Sequence, residues 1–338
     1  MKFGYIIFFS VVCIFLLFAA CAEKKNGSGS APETLTNAIT GTLFEIVTKA
    51  PETECVEPYD SAAETVLNRD DTFIENEITI NNNTADFEIS EELREQFFAL
   101  LEDSKFNASF YVIDIKSRMS IGYNANVKYN TASTVKAGYA LYCFKEIEAG
   151  RAGYNDLKKY EQKHYIKGSG STQNSEYGTI FTIKVLLYRM LYNSDNVAYY
   201  MLLDHFGYDG YNEMMKEIGV NAFISSKDKW GQFTAQELGL IWQAIYGYKD
   251  KCGEGRLLWE YLTGNLYNEI QEELKEYATV AHKSGWSPKA CHDSGIVMSE
   301  RPYIIVLLTD ASYKMANFYK MIRWIDNVMK SYSNGSAQ

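Results

Sequence analysis

The chain is poor in the residues that build metal centres and disulfide scaffolds. Its 338 residues include four histidines, none paired at ligand spacing, so no zinc signature is present. Six cysteines in a chain this long are too few for a scaffold held by disulfides. Positive charge is also in deficit: 33 Lys and Arg against 43 Asp and Glu leave a net charge of −10. A phosphate-binding face needs a surplus of basic side chains, which argues against nucleic acid as the main partner. No internal repeat stands out. Hydrophobic residues at 46% and charged residues at 22% match an ordinary soluble protein and exclude disorder along the whole length.

The first residues read as an address. Lys2 gives a positive start, Tyr5 to Phe18 is an almost unbroken apolar run, and Ala19-Ala20 closes it before Cys21. The run is short of the roughly 20 apolar residues that span a bilayer, and it has the layout of a secretory h-region. Leu17-Phe18-Ala19-Ala20-Cys21 resembles a bacterial lipoprotein lipobox. That resemblance implies cleavage before Cys21, a lipid on its new N-terminus, and an exported protein anchored to the outer face of a bacterial membrane. Residues 1–20 are thus read as the signal. Residues 21–86, with Gly27-Ser28-Gly29-Ser30 and much Thr, Glu and Asn, are read as a flexible tether. Within it Phe73 to Ile80 has a strand-like pattern with no identifiable partner. Residues 87–333 are read as one folded domain.

In that domain Ser90 can cap a helix carrying Leu93, Phe97, Leu100 and Leu101 on one side. Phe110 to Ile115 and Ser120 to Tyr123 read as strands joined by a turn. Helical patterns dominate from Ser133 to about Ile270. Strand patterns return at Ala278–Ala281, Ser294–Val297 and Tyr303–Thr309, before a closing helix that carries Met315, Phe318, Ile322, Ile325 and Met329 on one face. An antiparallel sheet beside a helical lobe is expected, an α+β arrangement.

Three short motifs carry chemistry. In Ser133-Thr134-Val135-Lys136 a helix start puts the lysine one turn after the serine, on the same face. A serine is a poor nucleophile until a base takes its proton, and a lysine is that base only when burial or a nearby cation disfavours its charge. Ser-x-x-Lys alone is weak: it recurs at Ser226 and Lys229. Ser194-Asp195-Asn196 lies between two apolar helical runs, where a plain cap and turn would serve equally. Lys283-Ser284-Gly285 ends a strand, and a glycine there lets a ligand backbone lie along the edge.

Taken in order, Ser-x-x-Lys, Ser-Asp-Asn and Lys-Ser-Gly form the signature set of penicillin-recognising serine enzymes. From about Ser90 to Ser331 the chain resembles the class A β-lactamase catalytic domain, with Gly122-Tyr123, Phe181-Thr182 and Asp293-x-Gly295-Ile296-Val297 also in matching places. The resemblance implies a five-stranded antiparallel sheet flanked by helices, with an inserted all-helical lobe. It also implies that Ser133 forms an acyl-enzyme with Lys136 as proton acceptor, and that Ser194 relays a proton to the leaving nitrogen. Asn196 would bind the substrate's amide side chain. Lys283 and Ser284 would hold its carboxylate, with Gly285 beside them, and the N–H groups of Ser133 and Trp286 would form the oxyanion hole. The implied substrates are β-lactams or D-Ala-D-Ala-like peptidoglycan stem peptides, with no metal and no cofactor.

Two departures set the chain apart. The stretch Val220 to Thr234 lacks the Glu-x-x-Leu-Asn loop whose glutamate positions the deacylating water; its acid, Asp228, reads as a surface charge. No arginine lies near Ser294, where class A enzymes often place one for the drug's carboxylate. The missing glutamate points towards slow deacylation, and both departures count against efficient antibiotic hydrolysis; the rival readings are a DD-peptidase-like protein with a stable acyl-enzyme and a non-catalytic cell-wall binder. Among other residues, Cys143 reads as core, Cys252 and Cys291 as a possible disulfide, Cys55 as unpartnered, His282 as packing, and His292-Asp293 as a turn.

Overall fold

The computed structural model describes residues 77–83, 86–267, 269–311 and 315–335. The export signal, Cys21, Cys55 and the first part of the tether lie outside the described residues. The chain runs β1 (Ile78–Asn81), α1 (Glu91–Ser104), β2 (Ala108–Asp114), β3 (Ser120–Tyr123), β4 (Lys128–Asn130) and α2 (Val135–Glu148). Then come β5 (Leu157–Lys159), β6 (Ile180–Thr182), α3 (Ile183–Tyr192), α4 (Asn196–Phe206), α5 (Asp209–Glu217), β7 (Gln232–Thr234), α6 (Ala235–Tyr248) and α7 (Gly253–Thr263). It closes with α8 (Glu269–Leu274), β8 (Thr279–Ser287), β9 (Ala290–Met298), β10 (Tyr303–Thr309) and α9 (Met315–Gly335).

The main sheet is antiparallel, in the order β1-β3-β2-β10-β9-β8. It has six strands among the described residues rather than the five expected. The sixth is the tail of the Phe73–Ile80 pattern, and its partner is β3, with Ile78 opposite Tyr123 and Asn81 opposite Ser120. The stretch read as tether therefore contributes a strand to the sheet.

Period two explains why β10, Tyr-Ile-Ile-Val-Leu-Leu-Thr, is buried along its whole length. Ile304, Val306 and Leu308 face the core shared with the helical lobe, while Tyr303, Ile305 and Leu307 face a second core under α1 and α9. Ser90 caps α1 by accepting from the N–H of Leu93. Helix α2 runs through the middle of the lobe and buries every residue from Val135 to Phe144. A helix enclosed on all sides needs no polar face. Tyr139, Tyr142, Tyr199 and Tyr211 pack ring against ring around it as part of the core.

Opposite sheet faces also settle the cysteines. Cys143, Cys252 and Cys291 are all buried free thiols. Cys252 belongs to the core of the lobe and Cys291 to the core under α9, where its thiol meets Met315 Sδ at 3.7 Å. The sheet lies between them, so they form no disulfide. His292 and Asp293 lie within β9, buried, and not in a turn.

Candidate active site

The Ser133 hydroxyl sits on a 3₁₀ turn, Ala132–Thr134, that runs directly into α2. Thr131 and His292 fix this turn to its surroundings. Thr134 Oγ1 donates to the Thr131 carbonyl, and His292 Nε2 lies 3.0 Å from the carbonyl of Asn130. The His292 ring accepts from the Thr309 N–H through Nδ1, so Nε2 carries the proton that reaches Asn130. Burial pushes the His292 pKa down to about 4 and keeps the ring neutral. Ala132 and Ser194 both adopt left-handed backbone, with φ of 46° and 54°. For residues with a Cβ that conformation stores about 1–3 kcal/mol each, and such strain collects at functional sites.

Lys136 is completely buried one turn into the site. Its Nζ lies 3.1 Å from Ser133 Oγ, 3.3 Å from Ser194 Oγ, 2.7 Å from the Ser194 carbonyl and 2.6 Å from Asn196 Oδ1. The rings of Trp230 and Tyr199 close the space around it, with centroids 5.3 and 5.8 Å away. Burial and the nearby Lys283 ammonium hold Lys136 well below the ordinary lysine pKa, against the opposing pull of Asp195.

The Ser194-Asp195-Asn196 segment opens α4. Asp195 caps that helix through the N–H of Ala198 and also accepts the N–H of Thr172. It thereby ties the motif to the loop 168–175 that covers it. Gly170 is required there: its φ is +93°, and a Cβ would fall 2.2 Å from the Asp195 carboxyl carbon. Asn196, expected to contact substrate, accepts from Lys136 Nζ through its Oδ1. It is a positioning group for the amine in this structure.

The third motif lies on β8, the outer strand of the sheet, with Lys283 opposite Ser294 of β9. Lys283 is also fully buried, and its Nζ donates to the Ser284 carbonyl at 3.0 Å. Burial lowers its pKa to about 8, although Asp293 and Glu269 act in the opposite sense. Asp293 itself receives His282 Nδ1 at 3.1 Å and the N–H of Ile270 at 3.0 Å, so His282 and Asp293 form a buried pair behind the strand. Gly285 lies against the nucleophile turn: a Cβ there would meet Thr131 O at 2.7 Å, Ser133 N at 2.9 Å and Thr134 N at 3.0 Å. Ser284 Oγ donates to the Tyr267 carbonyl.

These segments meet in one cavity of about 310 Å³, lined by Ser133, Ser169, Ser194, Tyr267, Glu269, Ser284 and Trp286. Ser133, Ser194, Ser284 and Trp286 were expected there from sequence, and Lys136, Asn196, Lys283 and Gly285 stand directly behind. Ser169, Tyr267, Glu269 and the Trp230 ring over Lys136 were not foreseen, because no spacing rule marks them. Asp228, read as a surface charge, is a loop organiser: its Oδ1 accepts the N–H groups of Trp230 and Gly231. Among the described residues no group of His, Cys, Asp and Glu is arranged to hold a metal ion. The lipidation site expected at Cys21 lies outside the described residues.

A hydroxyl beside a buried, pKa-lowered amine, a second hydroxyl within reach of the same amine and a sheet edge alongside are an arrangement chemically suited to activating a serine. Solved structures with the same fold include PBP-A, at 19% identity and a TM-score of 0.65, covering 71% of this chain and 97% of that one. A variant of PBP-A, solved as its acyl-enzyme complex with penicillin G, matches at 18% identity, with the same coverage and TM-score. The β-lactamase of Sphaerobacter thermophilus matches at 17% identity and a TM-score of 0.65, covering 73% of this chain and 98% of that one. At this identity the likeness is one of fold. No curated protein matches the chain. The model of the Beta-lactamase enzyme family matches residues 92–329, most of the chain and every site residue just described, and the protein belongs to that family.

Proposed function

We propose that the protein is an acyl-serine enzyme that takes β-lactams or D-Ala-D-Ala-like peptides onto Ser133 and releases them slowly. The observation that carries this reading is the Lys136 amine, fully buried and 3.1 Å from Ser133 Oγ. In its neutral form the amine has two N–H groups and one lone pair. The two shortest contacts, to Asn196 Oδ1 and the Ser194 carbonyl, use the two N–H groups. The lone pair then faces the Ser133 hydroxyl and accepts its proton as Oγ attacks the carbonyl carbon. The bond from that carbon to nitrogen breaks, and the proton passes from Lys136 through Ser194 Oγ, 3.3 Å away, to the leaving nitrogen. Backbone N–H groups at Ser133 and Trp286 serve the oxyanion.

Slow release rests on the other wall. The loop 220–231 presents Asp228, whose carboxylate is already engaged by two backbone N–H groups, and no carboxylate is among the hydrogen-bond partners of Lys136. A water attacking the acyl-enzyme from that side has no base to activate it. The acyl-enzyme that the PBP-A variant forms with penicillin G supports the same chemistry for this chain. Export and a lipid on Cys21 would place the site outside the cytoplasmic membrane, where such peptides occur.

The test is to incubate the full chain with a fluorescent penicillin and follow its intact mass. A lasting adduct located on Ser133 and absent from Ser133→Ala is expected. A short-lived adduct with continued drug consumption would make the protein an efficient β-lactamase. No adduct at all would leave only a binding role.

A further inference from the structure

We propose that Tyr267 and Trp286 form a subsite for an aromatic side chain on the carboxylate-bearing residue of the substrate. The inference rests on the acyl-serine reading above and narrows its substrate class. Among the described residues the cavity is lined by four serines, Glu269 and these two aromatic residues. Although both belong to a concave wall, Tyr267 is 42% exposed and Trp286 40% exposed. The indole N–H is spent on Glu269 Oε1 at 2.8 Å, so the ring is held in one orientation and has no donor left for a ligand. It offers its apolar surface alone. Pockets that combine such surface with a few polar groups bury an apolar part of their ligand against it.

The position of the two rings identifies the part of the substrate concerned. Side chains alternate along β8, so Ser284 and Trp286 project to the same side, about 7 Å apart along the strand. Both reach the chain at the start of α8: Ser284 Oγ donates to the Tyr267 carbonyl, and the Trp286 indole to the Glu269 carboxyl. In the acyl-serine reading the substrate carboxylate lies at Lys283 and Ser284, and the scissile carbonyl at the N–H groups of Ser133 and Trp286. The residue that joins those two points is the leaving one, and it lies alongside Tyr267 and Trp286. A methyl group on it, as in D-alanine, leaves both rings in water. A benzyl group covers them and buries apolar area on ligand and protein together. The carboxylate keeps its place, because neither ring brings a charge to the wall.

The test is a competition on the full chain, in which peptides slow the labelling of Ser133 by a fluorescent penicillin. Acetyl-D-alanyl-D-phenylalanine should protect at a concentration about tenfold lower than acetyl-D-alanyl-D-alanine. Trp286→Ala should bring the two peptides to within about threefold of each other, and Trp286→Phe, which keeps a ring, should retain most of the difference. The ratio is taken within each protein, so a change in the labelling rate itself cancels. Should Trp286→Ala not label, Tyr267→Ala, which leaves the Trp286 N–H in place, decides in its stead by the same narrowing. Equal protection by the two peptides, protection by neither, a preference for D-alanine, or a ratio that these substitutions leave unmoved overturns the inference, while labelling of Ser133 leaves the acyl-serine reading standing. A parent protein that is never labelled overturns both readings together.

Discussion

Burial disfavours the charge of both lysines in this small volume, and the Lys283 ammonium lowers the pKa of Lys136 further. Lys136 acts as base only when neutral, so acylation should rise with pH as its proton leaves, at a pKa well below that of free lysine. Lys283 works in the opposite sense: it is charged below about pH 8 and loses its field above it. The labelling rate of the full chain by a fluorescent penicillin should therefore trace a bell whose falling limb lies near pH 8. Replacing Lys283 by Gln should remove that limb and move the rising limb to higher pH, because the cation that lowers Lys136 is gone. A profile of unchanged shape would refute the assignment of the two limbs. Lys136→Met should lower the acylation rate about 10²–10⁴-fold, the usual worth of a positioned general base.

At the level of elements, the site is made by bringing an outer strand against a helix start. Gly285 allows that approach, since the atoms a Cβ would strike all belong to backbone and none can swing aside. Gly285→Ala should cost about 1–3 kcal/mol of stability through overpacking, read as a fall in the thermal midpoint. It should also slow acylation by about tenfold or more, because small displacements of a nucleophile have large kinetic effects. A variant as stable and as reactive as the parent would show that the two elements slide past one another freely. The elements themselves were legible in the sequence because each motif demands fixed residue types at fixed spacing. Ser133 and Lys136 share one helical turn, and Ser194 to Asn196 must start a helix. The failures have equally local causes. His292 and Asp293 looked like a turn because two polar residues interrupt the apolar run, yet both are buried in β9 with partners on other strands and loops: Asn130 and Thr309 for His292, His282 and Ile270 for Asp293. Glu269 opens a six-residue helix that no periodicity announces, and only the fold brings it to the pocket.

For the molecule as a whole, the two cores on either face of the sheet were foreshadowed by the all-apolar β10, whereas the contribution of β1 was not. Its pairing with β3 joins residues about 40 apart, and such long-range partnership leaves no mark in a local pattern. Ile78 is 7% exposed and packs in the core under α1 and α9. A protein starting at Phe87 would lose that side chain, worth roughly 1.5–3 kcal/mol, and would expose the open hydrogen-bonding edge of β3. It should melt at a lower temperature than a protein starting at Glu77 and, unlike that one, self-associate on size-exclusion chromatography.

Because β1 and β8 form the two rims of the sheet, five strand spacings, roughly 24 Å, separate the point where the described chain begins from the strand that borders the reactive serine. An affinity tag, resin linkage or fluorophore joined just ahead of residue 77 would emerge at the far rim, leaving the mouth of the cavity clear for a bulky ligand to enter.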